Sequence, residues 1–251
     1  MKESFTSIMD SMARRHGIHN LFSDFLTLLI CAFSHGAKEE EYLRVINRYE
    51  KPDAYKFSDA LGALVIEMTG PHGDGMIDVL GKYFEENLSY GKNGQFFTPQ
   101  PICDMMARMN NPINPTDHIL DPACGSGRML MAMAKVNRFA RFYGADNDSN
   151  CAKMAVINLC LNTMYGEVAW MNSLSNQFFG GWVIEPTIKG VPRIREITER
   201  ESYIHLKLPA SSSSNVHLEK GDEQLSDGGS KEQIPVQDIE TKPIQQLLFE
   251  F

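Results

Sequence analysis

Apolar residues recur at three-to-four-residue spacing through the first third of the chain. Leu21, Phe25, Leu28 and Leu29 make one stripe and Leu61, Leu64, Val65 and Met68 another, so residues 1–93 are expected to form a helical N-terminal domain. From residue 94 the pattern changes to short apolar runs alternating with helical ones. "HILD" reads as a strand, "GRMLMAMAKVNRFA" as a helix, "RFYGAD" as a strand, "SNCAKMAVINLCLNTMYG" as a helix and "EVAWMN" as a strand. Strand, helix, strand, helix, strand opens a parallel α/β sheet, and residues 94–208 are assigned to it. The segment after Asn172 reads as a further strand and a hairpin. From Pro209 the chain is rich in Ser, Gly and charge and almost free of aromatics, so residues 209–251 are expected to be a disordered tail ending in a short motif.

The first strand runs into "DPACGSGR", Asp121 to Arg128. In an open α/β sheet ligands settle beyond the carboxyl ends of the strands, where glycines let backbone approach a ligand without a Cβ in the way. Gly125 and Gly127 suit that role. The third glycine of a dinucleotide fingerprint is missing, and no Gly-Lys-Ser/Thr follows to make a P-loop. Asp121, directly before the turn, would repel a pyrophosphate and attract an ammonium group. Asp146 ends the second strand about 20 residues on, where such sites place an acid for ribose hydroxyls. A ligand with both a ribose and a free amino-acid end is S-adenosylmethionine. The competing reading makes Asp121 a turn cap and Asp146 merely the end of a strand.

Composition narrows the setting. With 43% hydrophobic residues among 251, the chain can bury one good core with a smaller helical unit beside it. Five cysteines without ligand spacing suggest neither a disulfide framework nor a metal site, so a reducing cytoplasm is expected. The longest apolar run, Phe25 to Phe33, is too short to span a bilayer, and no membrane association is expected. A formal charge of −8 with scattered basic residues argues against unaided grip on DNA, so a nucleic-acid partner would be reached with another subunit's help. Methionines such as Met105, Met106, Met109, Met129, Met131, Met133 and Met154 sit at helical spacing and read as flexible core filling. None of the histidines pairs with a Ser or Cys motif, and Cys124 is assigned a backbone role in the turn.

Four segments then carry a resemblance: "GQFFTPQPICDMMARM" (Gly94 to Met109), "ILDPACGSGRML", "YGADNDSNCAKMAVINLCLN" and "WMNSLSN". In that order they resemble the motifs of N6-adenine DNA methyltransferases, in particular the modification subunits of type I restriction-modification systems. The likeness covers Leu80 to Asn176, and the helical N-terminus resembles that family's more loosely. It implies a Rossmann-like S-adenosylmethionine-dependent methyltransferase fold with an N-terminal helical domain, and DNA as the partner, reached through a specificity or other subunit. It also implies that Phe97, Thr98 and Pro99 line the methionine part of the cofactor site. By the same resemblance Asp121, Ala123, Cys124, Gly125 and Gly127 hold the amino-acid end, Asp146 the ribose, and Asn147 flanks the adenine.

Two departures qualify this. Where the family has an acid for the cofactor's adenine amine the chain has Asn172, whose carbonyl can still accept that hydrogen bond. The family's catalytic signature is Asn or Asp, then Pro-Pro and an aromatic, at the end of the fourth strand, and this chain contains no Pro-Pro pair. That signature holds the flipped adenine's amine and stacks its ring, and so orients a weak nucleophile. Phe178, Phe179, Trp182 and Glu185-Pro186 are a poor substitute, so no catalytic residue is nominated and the chain reads as a truncated relative. A binding protein that performs no transfer, a pseudoenzyme, is the alternative. Separately, Gln245, Leu248 and Phe249 in "IQQLLFEF" resemble peptides that bind the polymerase sliding clamp, with docking on the chain's own domain or on a neighbouring chain as the plainer account.

Overall fold

The computed structural model describes residues 3–207 apart from 72, 74, 90–96, 111–113, 115 and 189. Gln245, Leu248 and Phe249 lie outside the described residues. Five helices come first: α1 (Phe5–His16), α2 (Ile18–Phe33), α3 (Glu39–Ile46), α4 (Lys51–Thr69) and α5 (Val79–Asn87). α1 begins where the Ser4 hydroxyl accepts from the Ser7 N–H at 3.1 Å, and stops at Gly17, whose φ of 74° no ordinary helix residue adopts. Its apolar face, with Phe5, packs against Phe25 and Tyr83, ring centroids 5.4 Å apart in both pairs.

The rest is α/β: α6 (Gln100–Met109), β1 (His118–Asp121), α7 (Arg128–Val136), β2 (Arg141–Asp146), α8 (Ser149–Leu161), β3 (Gly166–Asn172), β4 (Gln177–Glu185), β5 (Arg193–Ile197) and α9 (Tyr203–Lys207). Strands β1, β2 and β3 are parallel neighbours, and β4 and β5 continue the sheet as antiparallel strands, giving the order β1-β2-β3-β4-β5. α8 is buried on nearly every side, because it lies between the sheet and α2. That is why its sequence reads as an almost continuous apolar run rather than a stripe. One hydrophobic core therefore runs from Phe5 through α8 to Ile194. The other face of the sheet holds a small cluster of Leu120, Ala145, Ala169 and Met171 under Ile204 of α9. Glu167 on β3 fixes α9 there by accepting from the Tyr203 N–H at 2.9 Å and from the Ser202 hydroxyl.

The methionine expectation needs correction. α6 buries Cys103 and Ala107, which leaves Met105 and Met109 on its outer side at 54% and 74% exposure, whereas Met131, Met133 and Met154 are core residues. Spacing gives a helix its stripe but does not say which stripe faces inward.

Among the described strands β1 lies at an edge of the sheet. Asp117 C=O accepts from Arg141 N–H at 2.9 Å, so by the alternation of a parallel ladder Ile119 and Asp121 bond to β2. The backbone groups of His118 and Leu120 then point outward, and no described strand lies on that side. Leu120 is nonetheless 5% exposed, because both faces of β1 are covered.

Candidate functional site

The turn after β1 is stitched to β2. Cys124 N–H donates to Ala145 C=O at 2.8 Å, and Gly125 N–H donates to one oxygen of Asp146, also at 2.8 Å. The other Asp146 oxygen accepts from Asp148 N–H at 2.8 Å, and Asp148 caps α8. Asp146 therefore clips the glycine turn to the β2–α8 loop, a structural duty beside any ligand it meets. Gly125 has φ 54° and its missing Cβ leaves room for the Phe97 ring, which would stand 3.0 Å from it. Gly127 starts α7 at φ 82°, close against Ala155 and Leu159.

Asp121 is less satisfied. One oxygen accepts from Ala123 N–H at 3.1 Å, and the other has no hydrogen-bond partner among the described residues. Burial, reinforced by the neighbouring Asp146 charge, pushes its carboxyl up to about 6. Burial likewise raises Asp146, against the two backbone N–H groups that hold its charge. A cation beside Asp121 would relieve both effects, so the donor set suits an ammonium group. Burial also drives the Cys124 thiol far above its ordinary range, which makes it a poor nucleophile.

A second layer, missed in the sequence, holds this turn in place. Asp78 caps α5 by accepting from Gly81 N–H, and its carboxylate also accepts from the Ser126 hydroxyl at 2.5 Å, Arg128 Nε at 2.8 Å and Asn158 Nδ2 at 2.9 Å. Arg128 reaches on to Glu85 at 2.7 Å and to Thr98 C=O at 3.1 Å, and its guanidinium lies 5.6 Å from the Phe97 ring centroid. Phe97 stacks on Phe84 with centroids 5.9 Å apart. The helical N-terminal part thus grips both the glycine turn and the Phe97–Thr98 segment above it. One signal was legible: an arginine in the first turn of a helix sits at the wrong end of the dipole unless a carboxylate meets it.

Of the residues expected to form the site, Phe97, Thr98, Asp121, Ala123, Cys124 and Gly125 line one cavity of about 50 Å³. That admits an ammonium group or one or two waters, so a nucleoside would lie outside it. Pro99 caps α6 and Gly127 opens α7, neither of them on its wall. Asn147 and Asn172 lie further along the same edge, at the ends of β2 and β3. Asn147 C=O accepts from Trp170 Nε1 at 3.1 Å, and Asn172 Oδ1 accepts from Leu174 and Ser175 N–H at 3.0 and 3.2 Å. A larger cavity of about 700 Å³, between Gly70–Ile77 and Ala134–Phe139, opens at the amino end of β2, away from the carboxyl ends where such sheets bind ligands.

Glu185-Pro186 is nowhere near this site. β4 runs antiparallel and Ile184 pairs with Gly166, so Glu185 emerges at the opposite end of the sheet from Asp121 and Asp146. Among the described residues no His, Cys, Asp and Glu cluster could hold a metal ion, and no helix is long and apolar enough to cross a membrane.

A glycine turn between a strand and a helix, with acids ending two adjacent parallel strands, defines a Rossmann-like α/β protein. Residues 75–188 match the family of the N-6 DNA Methylases. The type II restriction enzyme and methyltransferase RM.BcgI of Heyndrickxia coagulans is 35% identical over 81 residues, 30% of this chain and 12% of that protein. The type I restriction enzyme MjaVIII methylase subunit of Methanocaldococcus jannaschii is 30% identical over 131 residues, 48% of this chain and 22% of the subunit. The chain thus spans under a quarter of either relative. Among solved structures, the methyltransferase subunit of a type I restriction-modification system from Streptococcus thermophilus superposes with a TM-score of 0.33 at 16% identity, over 64% of this chain and 36% of that one.

Proposed function

We propose that the chain binds S-adenosylmethionine and serves N6-adenine methylation of DNA as part of a modification assembly of the type I restriction-modification kind. The observation that carries this is the Asp121 carboxylate, with one oxygen lacking a partner among the described residues, beside a glycine turn clipped to Asp146. Bound there, the cofactor would supply an electrophilic methyl group. Asp121 would hold the ammonium, the Gly125 turn would carry the amino-acid backbone, Phe97 and Thr98 would close over the methionine chain, and Asp146 would accept from ribose. Residues 1–93 would brace the turn through Asp78 and Glu85, residues 94–208 would bind the cofactor, and residues 209–251 would serve as the tail.

DNA would be reached through a partner, since the chain is acidic and lacks the Pro-Pro signature that holds a flipped adenine. A second reading, cofactor binding without transfer, is favoured by the lack of any described strand on the outer side of β1, because the strand that follows β3 lies on the far side of the sheet. Calorimetric titration with S-adenosylmethionine tests the shared premise: saturable binding supports it, and none overturns it. Formation of N6-methyladenine on unmethylated DNA, with the products of neighbouring genes present, separates the two readings. A sliding-clamp contact through Gln245, Leu248 and Phe249 predicts clamp retention that is lost when residues 245–251 are removed, and equal retention ends that idea.

A further inference from the structure

Helix α4 has two faces, and only one of them packs on the described residues. Phe57, Ala60, Leu64 and Met68 point into the core, while Tyr55, Val65 and Ile66 on the other side are 65%, 43% and 56% exposed. Gly62 stands at mid-helix on that outer side. A glycine there costs about 1 kcal/mol relative to alanine, and nothing among the described residues asks for it, since an added Cβ would meet no atom within 4 Å. The missing side chain leaves a hollow of about 540 Å³ over Gly62, lined by Ala63, by Ile8 of α1 and by Ile66, with the carboxylates of Glu3, Asp59 and Glu67 around it.

Tyr55 lies seven residues before Gly62, two turns along the same face, so α4 carries a projecting ring and an open hollow about 10 Å apart. Two such helices laid antiparallel, about a two-fold axis between Ser58 and Asp59, satisfy both features at once, because each Tyr55 then reaches the partner's Gly62. The same register sets Pro52 against the partner's Val65. Asp59, one turn from Gly62, offers the entering phenol hydroxyl an acceptor.

The charges agree with the shapes. Lys51, one turn before Tyr55, is exposed, whereas Lys56 already bonds Asp53 and Ser11. Glu67, five residues past Gly62, is held beside the hollow by accepting Phe5 N–H at 2.7 Å. In the antiparallel register Lys51 faces the partner's Glu67, and a parallel pair would instead set lysine against lysine.

We propose that this face of α4 is the contact between two copies of the chain, an isologous interface in which the Tyr55 ring of each fills the hollow over Gly62 of the other. The inference is independent of the cofactor reading above. One pair of helices makes a small interface, so a dissociation constant of about 1–100 µM is expected.

Sedimentation equilibrium of the full chain from about 1 to 300 µM tests it, and the wild type should pass from monomer to dimer over that range. Tyr55→Ala removes the ring and Gly62→Leu fills the hollow, and each should weaken association by about tenfold or more. Neither change enters the core, so the circular dichroism of both variants should match the wild type. An equal mixture of the two variants is the decisive sample. A pair of either variant alone keeps neither contact, whereas a mixed pair keeps one Tyr55 in one intact hollow and sets the truncated side chain against the filled one. The mixture should therefore associate about fivefold or more tightly than either variant by itself. A wild type that stays monomeric throughout leaves the face to a different protein and overturns the proposal. Variants that associate as the wild type does, or a mixture no tighter than its parts, overturn it equally.

Discussion

Asp121→Asn should make the ligand-free protein more stable at neutral pH while removing its affinity for a cationic ligand. The carboxyl sits at about 6, pushed up first by burial and then by the Asp146 charge. Against an ordinary value of about 3.9 that is about 2 pH units, and at about 1.4 kcal/mol each the ionised group costs the folded state about 3 kcal/mol at pH 7. Asparagine keeps an acceptor for the Ala123 N–H but buries an amide N–H₂, at about 1–2 kcal/mol. The net is a gain of about 1 kcal/mol. The folded state holds more protons than the unfolded one between about pH 4 and 6, so wild-type stability falls as pH rises through that window and is flat above it. The variant lacks this titration. Urea unfolding of both proteins across about pH 4 to 7.5 should therefore show the wild type ahead at the acid end and the variant ahead at neutral pH, crossing near about pH 5. Affinity for S-adenosylmethionine should drop by about 10- to 100-fold in the variant, the worth of a hydrogen-bonded charge pair. A stability difference that does not change with pH, or a wild type ahead at neutral pH, would refute the reasoning.

Other perturbations follow from the same geometry. Asp78→Ala leaves Arg128, Ser126 and Asn158 without their shared acceptor, so a loss of about 3 kcal/mol or more in denaturant unfolding is expected, and a loss below about 1 kcal/mol would show the hub to be dispensable. Asp146→Asn should keep one of the two backbone bonds that Asp146→Ala loses, so the Asn variant should melt closer to wild type while both lose cofactor affinity in calorimetry. Gly127→Ala forces a Cβ onto φ 82° within 3.4 Å of Ala155, and thermal unfolding should report a loss of about 1–2 kcal/mol. Wild-type affinity for S-adenosylmethionine should weaken by about tenfold per pH unit below about 6, as Asp121 takes up its proton.

The sequence by itself determined the local elements. "HILD" and "RFYGAD" are β1 and β2 residue for residue, and the helical runs contain α7 and α8, because burial on both faces of a strand and around a helix writes itself into consecutive side chains. The glycine turn and its two flanking acids were legible for the same reason, since backbone with φ above zero and a strand end are local facts. Only the tertiary structure decided which strands are neighbours. That β4 folds back on β3, leaving β1 at an edge among the described strands and carrying Glu185-Pro186 away from the turn, depends on pairings whose energy lies in side chains from distant parts of the chain. Asp78 meets Ser126 across 48 residues, and Trp170 stands beside Asp146 only because the β2–β3 register puts it there. A side chain's type is fixed where it is encoded; its neighbours, and so its chemistry, are fixed by the packing of the whole.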